Sequence, residues 1–205
     1  MEALYVTLES KGFLKKEVLD TLGQYGSVLS GHPTIEVSGI EVNTGALGHG
    51  LPIGVGMAIA AKMDKKSYKT VVLMGDGEQG EGSIYEAAMA GNQYHLDNLV
   101  AIIDRNHLQI SGNTENVMGL GDIHDRWSAF GWDVKTMNGD DMQSIIDTFN
   151  SIDYNNGKPH LLVSETTKGK GVSFMENIAK WHHGVPSQEQ YEQAMKEITE
   201  RIDNL

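Results

Sequence analysis

Two short apolar runs, Val71-Val72-Leu73-Met74 and Leu99-Val100-Ala101-Ile102-Ile103, constrain the fold of this chain more than any other feature. Between them lies a segment of helical length, which suits a crossover returning the second run beside the first in parallel. A further apolar run near 160–166 and a shorter stretch over Trp132 to Thr136 predict two more strands, and apolar periodicity predicts helices near 1–9, 15–23, 52–62, 81–94, 122–129 and 141–150. The stripes expected on these helices include Leu4 with Leu8, Val18 with Leu22, and Ile53, Met57 and Ala60 or Ala61. A last polar amphipathic helix opens at a capping box, Ser187 with Gln190. Strands alternating with helices define an α/β class with a parallel sheet flanked by helices, and 205 residues suit a single domain spanning 1–205.

The first run delivers Gly75-Asp76-Gly77 and the second delivers Asn106, so a carboxylate and a carboxamide end neighbouring strands at one cleft. Both are oxygen ligands suited to a hard divalent cation such as Mg²⁺, which commonly completes its shell with phosphate and water. Gly75-Asp76-Gly77-Glu78-Gln79-Gly80 also spells the glycine pattern of a dinucleotide site, with Asp104 near the place of a ribose-binding acid. Charge argues against that reading, because Asp76, Glu78 and Glu81 would repel a bare pyrophosphate at the helix N-terminus. A bridging cation removes the conflict. Taken alone, the segment is equally a tight strand-to-helix turn with Asp76 as its cap.

Residues 75–112, GDGEQGEGSIYEAAMAGNQYHLDNLVAIIDRNHLQISG, resemble the thiamine diphosphate motif of transketolases, which opens with GDG and closes with an Asn beyond the next strand. Upstream, Gly31-His32-Pro33 and Asn43-Thr44-Gly45-Ala46-Leu47-Gly48-His49-Gly50 resemble further segments of that family, and so do Thr166-Thr167-Lys168-Gly169-Lys170-Gly171 and His182-His183-Gly184 downstream. Ala46 and His49 are similar to the branch in which the enzyme is encoded as two polypeptides. The resemblance implies a diphosphate-type domain that uses thiamine diphosphate and Mg²⁺, with Ca²⁺ or Mn²⁺ as substitutes. It further implies transfer of a two-carbon ketol unit between sugar phosphates of the pentose phosphate pathway.

By the same resemblance, Asp76, Asn106 and the backbone carbonyl of Leu108 are metal ligands, and Gly77 presents its amide to the diphosphate. Gly45, Ala46 and Leu47 contact the aminopyrimidine, and Glu81 lies at a protomer interface near the cofactor. His32 and His183 line the substrate channel as catalytic residues, with His183 also reaching the cofactor. Each has a plainer reading as a turn cap, a helix-entry loop, a first-turn acid or a surface histidine. Lys168 and Lys170 suit phosphate, or simply a solvated loop, and His49 and His182 carry no assigned role.

Met1-Glu2-Ala3-Leu4-Tyr5 resembles the chain just after the family's S-K-G-H-A segment, so the chain is expected to be truncated at its N-terminus, lacking the family's first segment and its pyrimidine and C-terminal domains. The implied partner is a C-terminal transketolase subunit carrying the pyrimidine domain, in a symmetric hetero-oligomer. Alternatives are a protein similar to 1-deoxyxylulose-5-phosphate synthase or to the α chain of a 2-oxo-acid dehydrogenase, and a non-catalytic binding module. A net charge of -12 disfavours nucleic acid, no apolar span suggests a membrane segment, and the lack of cysteine is compatible with a cytoplasmic location.

Overall fold

The computed structural model describes residues 1–203. These fall into two compact units, one formed by Met1–Leu47 and one beginning at Gly48.

The first unit carries α1 (Glu2–Ser10) and α2 (Lys16–Leu19) around a small core of Tyr5, Leu8, Leu29 and Val37. Tyr5 faces inward with Leu8 and donates its hydroxyl to the Ser30 carbonyl at 2.8 Å, whereas Leu4 is exposed, contrary to the expected stripe. The helix predicted over 15–23 stops at Leu19. Beyond it, Thr21 Oγ1 donates to the Val18 carbonyl and pairs with Ser27 Oγ, and the Gly23 amide turns away to the Leu29 carbonyl. Local side-chain bonds of this kind offer the backbone an alternative to the helical ladder.

In the second unit, β1 (Thr70–Gly75), β2 (Leu99–Arg105), β5 (Asp133–Asn138) and β6 (His160–Glu165) form a parallel sheet in the order β1-β2-β6-β5. A short hairpin, β3 (Leu108–Gln109) with β4 (Gly112–Asn113), follows β2 and was not foreseen in the sequence. The helices are α3 (Gly50–Met63), α4 (Gly82–Gln93), α5 (Thr114–Met118), α6 (Ile123–Ala129), α7 (Met142–Asn150) and α8 (Gln188–Asp203). Short 3₁₀ turns occupy Gly77–Gly80 and Ala179–His182.

Strand alternation assigns the two faces of the sheet. Ala101, Ile103, Leu161 and Val163 pack with Leu51, Val55, Ile84, Ala88 and Trp127, whereas Val100 and Leu162 point the other way, towards Met137, Ile152 and Phe149. On β1, Val71 and Leu73 remain exposed. The inward stripe of α3 is Leu51, Gly54, Val55, Ala58 and Ala61; of the expected stripe Ala61 lies in it, Met57 is half-buried and Ile53 is exposed. Small residues win this face because the helix lies very close to β1: a Cβ on Gly54 would stand 2.4 Å from Val72 Cγ2. The capping box at α8 forms as expected, with the Ser187 amide donating to Gln190 Oε1 and the Gln190 amide donating to Ser187 Oγ.

Candidate functional site

In register, Gly75 lies beside Asp104 and Arg105 beside Glu165, so β1, β2 and β6 end at one edge of the sheet. Such carboxyl ends are the usual ligand side of an α/β sheet. Asp76 follows β1 and opens the Gly77–Gly80 turn; only 1% of it is accessible. Its Oδ2 accepts hydrogen bonds from Arg105 Nη1 and Thr114 Oγ1, both at 3.2 Å. The other end of the Arg105 guanidinium donates from Nη2 to Glu115 Oε1 at 2.6 Å and holds the Glu115 carboxyl below its ordinary range.

Asn106 is also buried. Its Nδ2 donates to Asp104 Oδ2 at 3.2 Å, and its Oδ1 accepts from the Leu108 amide at 3.1 Å. Between these two residues His107 adopts φ 62°, which turns the chain sharply from β2 into the hairpin. Asp104 Oδ1 in turn accepts from Thr166 Oγ1. Asp76, Gly77, Asn106 and Leu108 are thus carried by adjoining segments at the ends of β1 and β2.

The donor chemistry fits a hard cation. Both hydrogen bonds to Asp76 fall on Oδ2, and Asn106 Oδ1 keeps a second lone pair beyond its bond to Leu108. Among the described residues, no three His, Asp or Glu side chains converge, so an all-carboxylate cage is not what this edge offers. One carboxylate, one carboxamide and a carbonyl leave coordination positions for phosphate and water, as suits Mg²⁺. A side chain on Gly77 would meet Gln109 Cγ at 3.1 Å, so glycine keeps the turn and its amides open.

Beside Asn106 lies a cavity of about 360 Å³ lined by Leu73, Asp104, Asn106, Ser164, Thr166 and Lys168, among others. Glu78 closes the other side of the GDG turn, its carboxylate accepting from the amides of Gly48 and Gly75. Glu81 is exposed as the N-cap of α4 and makes no capping hydrogen bond through its side chain. His183, exposed, follows the Ala179–His182 turn and packs edge-on against His182 at 4.7 Å between ring centroids. Burial, with the charges of Lys168 and His183, lowers the pKa of His182 below its ordinary value.

In the first unit, His32 and Gly45 are neighbours: Gly45 has φ 123°, and a Cβ there would lie 3.5 Å from His32 Cδ2. Ala46 and Leu47 are exposed.

Sequence reasoning missed Arg105, Thr114, Glu115 and Glu78. Arg105 did carry a signal, since a charged residue in a buried position at the end of a largely apolar strand needs a counter-charge. Alternation places it on the face of Ala101 and Ile103. Thr114 and Glu115 carried none, because they reach the site only through the unforeseen hairpin.

A parallel α/β sheet with polar and acidic turns at its carboxyl edge defines an α/β domain whose ligand side is that edge, and sequence comparison narrows it. Residues 2–200 match the family described as transketolase, thiamine diphosphate binding domain. The chain is 77% identical over its whole length to one of the subunits of the apulose-4-phosphate transketolase of Phocaeicola vulgatus, covering 73% of that protein. It is 38% identical over 197 residues to the 6-deoxy-6-sulfo-D-fructose transketolase subunit SqwG of a Clostridium species, covering 96% of this chain and 72% of the relative. Among solved structures, the transketolase of Campylobacter jejuni superposes with a TM-score of 0.82 at 32% identity over 89% of this chain. The chain spans 30% of the length of that solved enzyme. This chain belongs to the transketolase family, as its N-terminal, thiamine-diphosphate-binding part.

Proposed function

We propose that this chain, assembled with a companion subunit carrying a pyrimidine-binding domain, transfers a two-carbon ketol unit from a phosphorylated ketose to an aldose phosphate. The observation that carries the reading is Asp76, buried at the carboxyl edge of the sheet with Oδ2 engaged and with Asn106 directly after the adjoining strand. Asp76, Asn106 and the Leu108 carbonyl would hold Mg²⁺, for which Ca²⁺ or Mn²⁺ could substitute, and Gly77 would offer its amide to the diphosphate. In the first unit, Gly45, Ala46 and Leu47 are offered to the aminopyrimidine. Thiamine diphosphate, when bound, supplies the electron sink for breaking and forming the carbon–carbon bond. By family resemblance His32 would serve the donor's hydroxyl groups, and His183 would serve cofactor phosphate and substrate; proton transfer and hydrogen bonding to oxygen both suit imidazole near neutral pH. Glu81 contributes to the contact between protomers, in a symmetric assembly with two such contacts.

The names of the relatives support a particular substrate. The 77% identical protein is named for apulose-4-phosphate, and a second protein named as part of an apulose-4-phosphate transketolase, from Actinobacillus succinogenes, is 46% identical over 195 residues. These names support apulose-4-phosphate as the substrate more closely than the sugars of the pentose phosphate pathway. Both relatives are named as single subunits of their enzymes, which supports the companion chain. Replacing Asp76 with Ala tests the site, with calorimetric titration of thiamine diphosphate and Mg²⁺ into the co-purified complex. Loss of Mg²⁺-dependent binding in a folded variant is expected, and unchanged binding would refute the ligand role.

A further inference from the structure

We infer that Arg105 is a positioning residue that limits Asp76 to one available carboxylate oxygen and thereby biases the site towards Mg²⁺ over Ca²⁺. The inference rests on the metal-bridged reading proposed above. Arg105 and Asp76 are side by side in the interior, their side chains 9% and 2% accessible. Oδ2 of Asp76 receives both Arg105 Nη1 and Thr114 Oγ1, which together take up the two acceptor directions of one carboxylate oxygen. A cation approaching Oδ2 would also meet the guanidinium charge. Only Oδ1 is left to coordinate.

The clamp is itself held. Arg105 ends β2, in register with Glu165, and its second guanidinium nitrogen is anchored by Glu115 at 2.6 Å. Thr114 begins α5, and its amide donates to the His107 carbonyl at 2.8 Å, which ties the hairpin back to the end of β2. Asp76 therefore cannot rotate to present both oxygens without breaking two buried hydrogen bonds.

Cation size turns this constraint into selectivity. Mg²⁺ demands near-octahedral geometry at about 2.0–2.1 Å, which one-oxygen carboxylate coordination suits. Ca²⁺ takes roughly six to eight oxygens at longer distances and readily accepts both oxygens of one carboxylate. Releasing Oδ2 should therefore favour Ca²⁺ relative to Mg²⁺. Absolute affinity is a poor readout, because removing Arg105 both strengthens the negative field and frees the carboxylate to wander. The ratio of the two affinities separates these effects.

The experiment uses the complex co-purified with its companion chain and measures thiamine diphosphate binding by calorimetry while either MgCl₂ or CaCl₂ is titrated. Arg105→Gln should lower the Mg²⁺:Ca²⁺ affinity ratio by about tenfold, the lower end of what is typical when the partners of a metal ligand are lost. Thr114→Val and Glu115→Gln should shift it in the same direction by less. Should Arg105→Gln fail to fold, those two milder variants decide. A wild-type complex that binds cofactor equally with and without either ion would overturn the metal reading and the inference with it. Wild-type binding that depends on Mg²⁺, with the ratio unchanged in every folded variant, would overturn the role of Arg105 alone.

Discussion

Glu78 Oε1 accepts a hydrogen bond from the Gly48 amide at 2.9 Å, and the same carboxylate reaches the Gly75 amide through Oε2 at 3.1 Å. One side chain thus joins the loop entering α3 to the end of β1. Ser83 adds a third tie by donating to the Gly48 carbonyl at 2.8 Å. Gly48 is confined in turn: its φ is 80°, and a Cβ would stand 2.5 Å from Glu81 Cβ. Glu78→Gln leaves one carbonyl oxygen to serve two amides, so a loss of roughly 1–3 kcal/mol is expected from the unpaired donor. Gly48→Ala should cost at least as much, through the left-handed backbone and the clash together. Urea unfolding midpoints check both; wild-type midpoints would show that the tie contributes nothing.

Close approach of α3 to the sheet makes opposite predictions for two glycines less than one turn apart. A Cβ on Gly54 meets Val72 Cγ2 at 2.4 Å, and the β-branched valine has little room to rotate, whereas nothing lies within 4 Å of a Cβ on Gly56. Gly54→Ala should destabilise by about 1–3 kcal/mol from overpacking, partly offset by better helix propensity. Gly56→Ala should stabilise by about 0.5–1 kcal/mol, since it gains propensity without a clash. Thermal and chemical denaturation of the pair would contradict the packing described if both shifted in the same direction.

What the sequence made legible follows from what periodicity can report. Three of the four parallel strands were visible because short apolar runs ended at glycines or polar residues, and the cleft residues Asp76 and Asn106 followed directly from two of those ends; β5, Asp133–Asn138, has no such run. The inward face of α3 was not, because the pattern favours the largest apolar residues while the sheet accepts the smallest. Gly54 and Ala58 face β1, and Ile53 does not. The hairpin at Leu108–Asn113 was invisible for a different reason: two-residue strands have no period, and His107 makes its turn with a positive φ that no glycine announces. Thr114 and Glu115 were lost with it, so the proposed cation ligands were legible while the groups that orient them were not.

His160 gives the fold a pH dependence. Its side chain is 1% accessible, Nδ1 pairs with Asp133 Oδ2 at 3.2 Å, and Nε2 is buried without a hydrogen-bond partner. Burial lowers its pKa below the ordinary 6.5, with Asp133 and, more weakly, the backbone and charge of Asp97 opposing the shift. The unfolded chain therefore binds a proton more readily than the native one below about 6.5. Its stabilising contribution is complete above that pH and declines as pH falls towards the native pKa, by at most about 1.4 kcal/mol per pH unit. His160→Asn should flatten this part of the profile. Stability curves measured between pH 7.5 and 5, at about half-unit steps, would contradict the assignment if wild type and variant ran parallel.

Ketol transfer by the reconstituted complex tests the central claim most directly. This chain, the companion chain and their mixture are each assayed with thiamine diphosphate, Mg²⁺, apulose-4-phosphate and an aldose phosphate acceptor. The account predicts transfer in the mixture, dependent on both cofactor and cation, and none by either chain alone. Turnover by this chain alone at the rate of the mixture would contradict it.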